Sequence, residues 1–559
     1  MSLIENEIDV LVVGAGPVGL AMACELLRHG MHCRIIDQAA APARTSRALG
    51  IQARTLEVFE NMGVIDQVLA AGTKARGLTL YDGDRVVLRL SLQHIRDSQY
   101  PFLLILPQSQ TESILNARLA DLGGTVERSC ELLNIRQEND AVVAIVNAAG
   151  SESGDVEEIR ARWLIGCDGA RSRVRKVLAI PFEGTTAPEE FLLADVDLDW
   201  NRTRETTHGW LTRDGLFAVF PLPGGQWRLF ATLQAQDTQE IPQASVEVFQ
   251  RLLVQYTGDT RTTVSNPTWM SNFKINYRMA TEYRKGRVFL AGDAAHIHSP
   301  YGGQGMNIGI QDAYNLVWKL ALVLQEKARE SLLDTYQEER MPIARYVLQG
   351  ARAGTGLLVS RNPVSRLLRD HVVRLLLNLD IIQRYMAQQA SELNMNYRNS
   401  SLSHTCYENS ASISKLLAWR RAPHAGDRAL PGECLSYPSN TQTNLFQVLR
   451  GTQSHLLIFT GLTPADKDHA ELARLASKVE TLTGERVKAH IIIAGINPPT
   501  HLTWNGSILL DPQDKLHTIY GAHRQSLYFI RPDGYIGLRS QLTTEEQLFG
   551  YMKHILFKL

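Results

Sequence analysis

The chain of 559 residues has no excess of either charge: 58 Lys and Arg stand against 58 Asp and Glu. That balance gives no electrostatic reason to expect a nucleic acid or an anionic membrane as partner. Cysteine is scarce. Cys24, Cys33, Cys130, Cys167, Cys406 and Cys434 are scattered and include no CxxC pair. This argues against a zinc site or a disulfide framework and for a reducing compartment. Long apolar runs are missing too: none approaches the roughly 20 residues that span a bilayer. The acidic N-terminus enters a strand-like run almost at once, unlike a signal peptide. A soluble cytoplasmic protein is therefore expected. His296 and His298 form an HxH pair, but no third ligand or carboxylate cluster stands at metal spacing, so no metal is expected. The length is too great for one core and implies about two to four domains.

What is present starts with a strand, Asp9 to Val13, that runs into Gly14-Ala15-Gly16-Pro17-Val18-Gly19 and then an apolar helical stretch from Leu20 to Leu27. A glycine-rich turn between a buried strand and a helix can seat a pyrophosphate. Gly14 allows the tight turn, Gly16 lets a phosphate approach, and Gly19 lets helix and strand pack closely. The helix N-terminus offers free N–H groups to the anion. A second strand, Cys33 to Ile36, ends at Asp37, where an acid should hold ribose hydroxyls. The spacing points to a dinucleotide without choosing between NAD and FAD.

Downstream, helices are expected over Thr55 to Met62 and after Pro107, with Leu115 and Leu119 at helical spacing. Residues from about Phe182 to Phe273 are rich in strand and turn. Phe217 to Phe230 reads as a hairpin about Gly224-Gly225. Of the aromatics Trp210, Phe217, Phe220, Trp227 and Phe230, most should be core, with one or two lining a pocket. Val364 to Met386 patterns as a helix carrying Arg366, Arg369, Arg374 and Arg384, read as domain packing with arginine stems along its edge. The stretch 397–444 is polar and reads as a linker. A βαβ-then-ββα order follows: strand Leu456 to Phe459, helix Ala465 to Leu482, strands Ala489 to Ile493 and Ser507 to Leu510. The hairpin Leu527 to Leu538 and a last helix, Thr543 to Phe557, complete it. That order is thioredoxin-like, but without CxxC no redox role is expected of it.

Two more acid–glycine motifs lie far from the first: Asp168-Gly169, followed by Arg171, Arg173 and Arg175, and Gly292-Asp293-Ala294-Ala295-His296, followed by Pro300 and Gly302-Gly303-Gln304-Gly305-Met306-Asn307. A helix with Asp312, Asn315, Leu316, Trp318, Lys319 and Leu320 comes next. An acid at a strand end can accept bonds from a polyol, and a glycine run at a helix start exposes N–H groups that can steady an anionic ring system. Together the three motifs resemble the single-component FAD-dependent aromatic hydroxylases, the group of p-hydroxybenzoate hydroxylase and phenol hydroxylase. The resemblance covers essentially the whole chain and is nearest to the subset with a C-terminal thioredoxin-like domain, such as aromatic-polyketide hydroxylases.

The resemblance implies an α/β fold: a Rossmann-like FAD-binding domain (1–180 and 274–355), an inserted β-rich substrate domain (181–273, with helices over 356–396), a linker (397–444) and a thioredoxin-like domain (445–559). It implies that Gly14, Gly16 and Gly19 pass the FAD pyrophosphate and that Asp37 binds the adenosine ribose. Arg47 and Gln108 match positions at the diphosphate and ribityl region. Asp168 and Gly169 handle FAD and NAD(P)H, and Asp293, after Gly292, bonds the ribityl chain. Pro300 and Gly303 border the reactive edge of the isoalloxazine, and Gly303, Gln304, Gly305, Met306 and Asn307 wrap its pyrimidine end. The implied reaction takes NAD(P)H and O2 and hydroxylates a small aromatic substrate through a flavin C4a-hydroperoxide, with no acid–base residue assigned. Baeyer–Villiger insertion, epoxidation and a non-catalytic flavin-binding interaction protein stay open as alternatives, as does a homodimer.

Overall fold

Parallel strands that end at one level bring the distant motifs together. A computed structural model describes residues 8–43, 48–147, 156–211, 215–233, 242–298, 303–359, 380–406, 413–463, 466–499, 502, 504–541 and 545–558. The chain divides into two compact units, Met1–Tyr314 with Arg340–Leu393, and Asn315–Glu339 with Asn394–Leu559. The fold is α/β, as the sequence led us to expect.

In the first unit, the apolar strand Ile8–Val13 lies inside its sheet, as a strand buried on both faces must. It pairs in parallel with Val156–Gly166 and with Cys33–Ile36, and Val288–Leu290 pairs in parallel with Val156–Gly166. The register sets Val13 opposite both Ile36 and Gly166, and Gly166 opposite Leu290. The chain therefore leaves one common edge at Gly14, Asp37, Cys167 and Ala291. Helix Pro17–Arg28 starts with Pro17 in its first turn, where the missing N–H costs nothing. Helices Ala53–Met62 and Gln108–Asp121 form where the apolar spacing placed them, the first ended by Gly63 at φ +78°.

Among the described residues the second sheet of this unit has eight strands, including the two long ones Phe182–Leu198 and Val264–Ala280. The expected hairpin pairs Leu216–Pro221 with Trp227–Leu233 and turns through Gly224 and Gly225, both at positive φ. The sheet also takes in Gly77–Asp82, Arg85–Ser91 and His296–Ile297. Helix Val246–Thr257, capped by Ser245, packs Phe249, Leu252, Leu253 and Tyr256 into the cluster that holds Trp210, Phe217 and Trp227. The sequence reading did not foresee this helix. Of the helix expected over Val364–Met386, residues up to 379 lie outside the described ones, while Asp380–Ala390 is helical.

Among the described residues the second unit carries one eight-stranded sheet. Ser454–Phe459 pairs in parallel with Val487–Ala494 and antiparallel with Ser526–Ile530, which pairs antiparallel with Ile536–Ser540. Helix Asp466–Thr483 connects the parallel pair, and Gly534 at φ +79° turns the hairpin. Residues 433–444, inside the polar stretch, add an antiparallel pair of strands, of which Thr441–Asn444 forms the edge. The core of this unit also holds a buried ion group: Arg531 pairs with Glu339 and Asp533, and Lys319 with Glu339.

Candidate functional site

At the common strand edge the three glycines of the first motif do different work. A Cβ on Gly14 would stand 2.4 Å from the Cys167 carbonyl oxygen, and one on Gly19 would stand 1.8 Å from that of Gly14. Both are demanded by the fold itself. A Cβ on Gly16 would meet nothing within 4 Å. Gly16 is the N-cap of helix Pro17–Arg28, and no side chain caps that end. An open cradle at an uncapped helix N-terminus suits an anion.

Asp37 closes the cradle: its carboxylate accepts from the Ala15 N–H at 2.6 Å and the Ala39 N–H at 2.8 Å, with Arg128 at 3.8 Å. Gln108 begins its helix and donates to Glu112 at 2.8 Å. Burial pushes the Glu112 carboxyl up; the Gln108 bond and the Arg128 charge oppose this, and the Asp37 charge adds to it. Gln108, Glu112, Arg128 and Asp37 therefore share one neighbourhood. Glu112 and Arg128 were missed in the sequence. The only signal was the Gln–Glu spacing of four on a helix. Arg47, Pro300 and Gly302 lie outside the described residues.

The second and third motifs are bolted together. Asp168 accepts from the N–H groups of Arg173 at 2.6 Å and Val174 at 3.0 Å, at the start of the short helix Arg173–Val177. Burial raises its carboxyl. Gly169 follows at φ +75°. Arg175 donates to the Ala170 and Ala294 carbonyls, each at 2.8 Å, and lies 3.7 Å over the Phe182 ring. Gly292, at φ +59°, donates its N–H to Asp312 at 3.0 Å. The same carboxylate takes His296 and Arg340, both at 2.7 Å. Burial would raise the Asp312 carboxyl, but the His296 and Arg340 charges bring it below its ordinary value. His296 and Arg340 thus join Asp312 in a buried cluster that fixes the turn carrying the exposed Asp293.

Gly303 stands at φ +64°, and helix Gly305–Leu324 starts two residues later. Gln304 donates to the Gln389 carbonyl at 3.4 Å, and Met306 is buried. The fully buried Asn307 accepts from the Gln52 N–H at 2.9 Å and donates to the carbonyls of Gly50 and Gly303. Its side chain is committed to the backbone on both sides, which shapes the turn.

Trp210, Phe217 and Trp227 are buried under helix Val246–Thr257. Phe230 points to the other face, with Phe191, Phe273 and Tyr277, where Arg228 holds Asp195 through two bonds of 2.6 and 2.8 Å. Phe220, half-buried, packs with Leu49, Ile105 and Leu222. A cleft of about 530 Å³, which shares Phe273 with the Phe230 face, is lined by Arg171, Arg175, Lys176, Lys274 and Arg278 with Phe182 and Phe273. No acidic residue is among its lining residues. Among the described residues no group of three His, Cys, Asp or Glu could hold a metal, and no helix is long and apolar enough to cross a membrane.

Residues 7–351 match the model of the family described as FAD binding domain. The chain is 36% identical over 548 residues to 6-methylpretetramide 4-monooxygenase of Streptomyces rimosus, covering 95% of this chain and 91% of that one. It is 32% identical over 538 residues to pentachlorophenol 4-monooxygenase of Sphingobium chlorophenolicum, covering 95% and 94%. The solved structure of the anhydrotetracycline hydroxylase from Streptomyces rimosus superposes with a TM-score of 0.73 at 27% identity, covering 99% of each chain.

Proposed function

This chain belongs to the FAD-dependent aromatic hydroxylases, and on that premise we propose that it spends NAD(P)H and O2 to hydroxylate a phenolic or polycyclic aromatic ring. One observation carries the reading: Gly14, Asp37, Asp168 and Gly292 all leave the same edge of one parallel sheet, where ligands of open α/β sheets bind. The residues fit FAD on their own geometry. The space at Gly16 and the uncapped helix end suit the pyrophosphate. Asp37 would hold the adenosine ribose, with Gln108 near it, and Asp293 the ribityl chain. Backbone groups of Gly303 to Asn307 would meet the pyrimidine end. Arg47 and Pro300 keep the roles the resemblance implies. When bound, FAD supplies the redox chemistry, taking electrons from NAD(P)H and activating O2.

The chain contributes binding, orientation and exclusion of water. The cationic cleft supports NAD(P)H docking: five basic side chains with no lining acid match a pyrophosphate anion. Asp168 and Gly169 stand directly before its first lining residue, Ala170. For the substrate wall the geometry favours Phe220 and Phe230, the half-buried aromatics outside the helix-covered face. The relatives named above act on a pretetramide and a chlorinated phenol, which supports an aromatic substrate here. In the second unit the strand order, with the parallel pair flanked by an antiparallel hairpin, supports a thioredoxin-like reading of 445–559.

The test follows NADH and NADPH oxidation by the FAD-loaded protein across phenols, naphthoquinones and aromatic polyketides, with mass spectrometry of the products. At least one compound should accelerate oxidation and gain one oxygen atom. A panel that leaves the rate unchanged and yields no oxygenated product would refute the proposal.

A further inference from the structure

Glu392 is a buried carboxyl that neither the fold nor the proposed reaction has used so far. It is 1% exposed and stands at φ +62°, a strained conformation for a residue with a side chain, just past helix Asp380–Ala390. Gln311 Nε2 donates to its Oε2 at 2.6 Å. Its Oε1 is buried without a hydrogen-bond partner among the described residues, and so is Gln311 Oε1.

The charges around it are already matched. Arg54, on helix Ala53–Met62, pairs with Glu57 at 3.0 Å. Arg340, on helix Asp334–Val359, pairs with Asp312 at 2.7 Å, and Asp312 also holds His296. Glu392 is thus a third acid beside two cations that each have a carboxylate. An ionised Glu392 would be a buried charge with one amide donor and no cation of its own, which is the costly arrangement. Burial pushes its carboxyl up to about 8, with Gln311, Arg340 and Arg54 opposing. Because Gln311 donates to Oε2, the proton belongs on Oε1.

The place of this acid gives it a task. Its segment lies against the turn that starts helix Gly305–Leu324: Gln304 donates to the Gln389 carbonyl, and the Arg54 N–H donates to the Ser391 carbonyl at 3.2 Å. We propose that Glu392 is a positioning residue that must carry a proton: as a neutral acid joined to Gln311 it buttresses the Gly303–Asn307 turn, and its ionisation loosens FAD. The reaction is the loss of one proton from the carboxyl to solvent, with no other bond changed. The inference rests on the flavin reading of the site.

FAD is titrated into the full-length apoprotein from about pH 6 to about pH 9.5, with the dissociation constant read from flavin fluorescence. Affinity should be flat below about pH 7, about twofold weaker at pH 8 and up to about tenfold weaker by pH 9, the limit that linkage to one proton sets. Glu392→Gln keeps an acceptor for Gln311 and is neutral throughout, so it should hold the low-pH affinity at every pH. A wild type insensitive to pH, or a variant that follows the wild type, overturns the proposal. A second readout does not involve FAD: the infrared difference between wild type and Glu392→Gln should show a protonated carboxyl stretch at pH 7 that vanishes by about pH 9. Its absence at pH 7 overturns the proposal whatever FAD does. A protein that shows the stretch but binds no FAD refutes the flavin reading and the coupling together, leaving only the proton in place.

Discussion

Glu339 in the second unit and Glu392 in the first are equally hidden from water and end in opposite states. Glu339 accepts from Asn315, Lys319, Ser400 and twice from Arg531. Burial alone would raise its carboxyl, but the Arg531 and Lys319 charges hold it well below the ordinary carboxylate range. Glu392 has one amide donor and no cation to itself, and burial prevails. Burial therefore does not decide ionisation; the number of donors and of cations in direct contact does. The difference extends to the regions around them. The core group of the second unit spends its polar atoms on itself, while the first unit leaves an open glycine and an exposed Asp293 at its strand edge and an unmatched oxygen on Glu392. One arrangement holds a fold and the other is built for a ligand.

The comparison breaks first if Glu339 is not structural. Glu339→Ala should cost the second unit about 3–5 kcal/mol, because it leaves Arg531 and Lys319 buried beside too little negative charge. Denaturant unfolding measures this, and a loss below about 1 kcal/mol would contradict it. Next in size is an acid effect in the same unit. His455 and His490, on neighbouring parallel strands, share a 3.0 Å bond, and His490 reaches Ser507 at 2.7 Å. Burial lowers both imidazoles, His455 to about 3, with the Lys488 charge adding to it. The unfolded chain then binds more protons than the folded one, so stability is full above about pH 6.5 and drains as pH falls towards about 3. By about pH 5 the loss from His455 alone should be about 2 kcal/mol. Equal unfolding midpoints at pH 7 and pH 5 would show that the pair is not neutral in the fold.

Much of both units was legible in the sequence because each element carried its own local signal. Glycines and acids stood at strand ends, Gly224-Gly225 and Asp533-Gly534 marked hairpins, and apolar spacing marked helices. The convergence at one sheet edge could be inferred only from the motifs jointly, since register is a long-range property. What stayed hidden has no local signature. Helix Val246–Thr257 is the exception: its Ser245 cap, the spacing of Phe249, Leu252, Leu253 and Tyr256 and the Gly258 stop were a local signal that a strand-rich reading of the region passed over. Glu112, Arg128, Arg340 and Glu392 look like ordinary surface charges until other segments pack over them. Nor could alternation say which of Phe220, Phe230 and Trp227 would be covered, since that depended on the face chosen by the unforeseen helix.

The glycine motif repeats the comparison within six residues. Gly19→Ala places a Cβ 1.8 Å from the Gly14 carbonyl oxygen and should destabilise the first unit by about 1–3 kcal/mol even without ligand. Gly16→Ala meets no protein atom within 4 Å, and should leave the apoprotein's melting temperature unchanged while weakening FAD binding. If Gly16→Ala binds FAD like the wild type, the open space there is not the pyrophosphate seat. If Gly19→Ala is as stable as the wild type, helix and strand do not pack as closely as the geometry requires.

Asp293→Ala makes the smallest change and the sharpest separation. The side chain is exposed at the end of a strand, on a turn that is held from behind by the Gly292 N–H, His296 and Arg340 on Asp312. Removing the carboxylate leaves that support in place, so the apoprotein should stay folded. Losing one charged bond to a ribityl hydroxyl should weaken FAD by about tenfold or more, enough for most flavin to be lost on gel filtration. Absorbance of the eluted protein measures it. Full retention of flavin would place Asp293 with Glu339 among the groups that serve the fold. Loss of flavin together with a lower midpoint would mean that the turn, and not a ligand contact, was removed. Only flavin loss at constant stability keeps the two regions of the molecule distinct in kind.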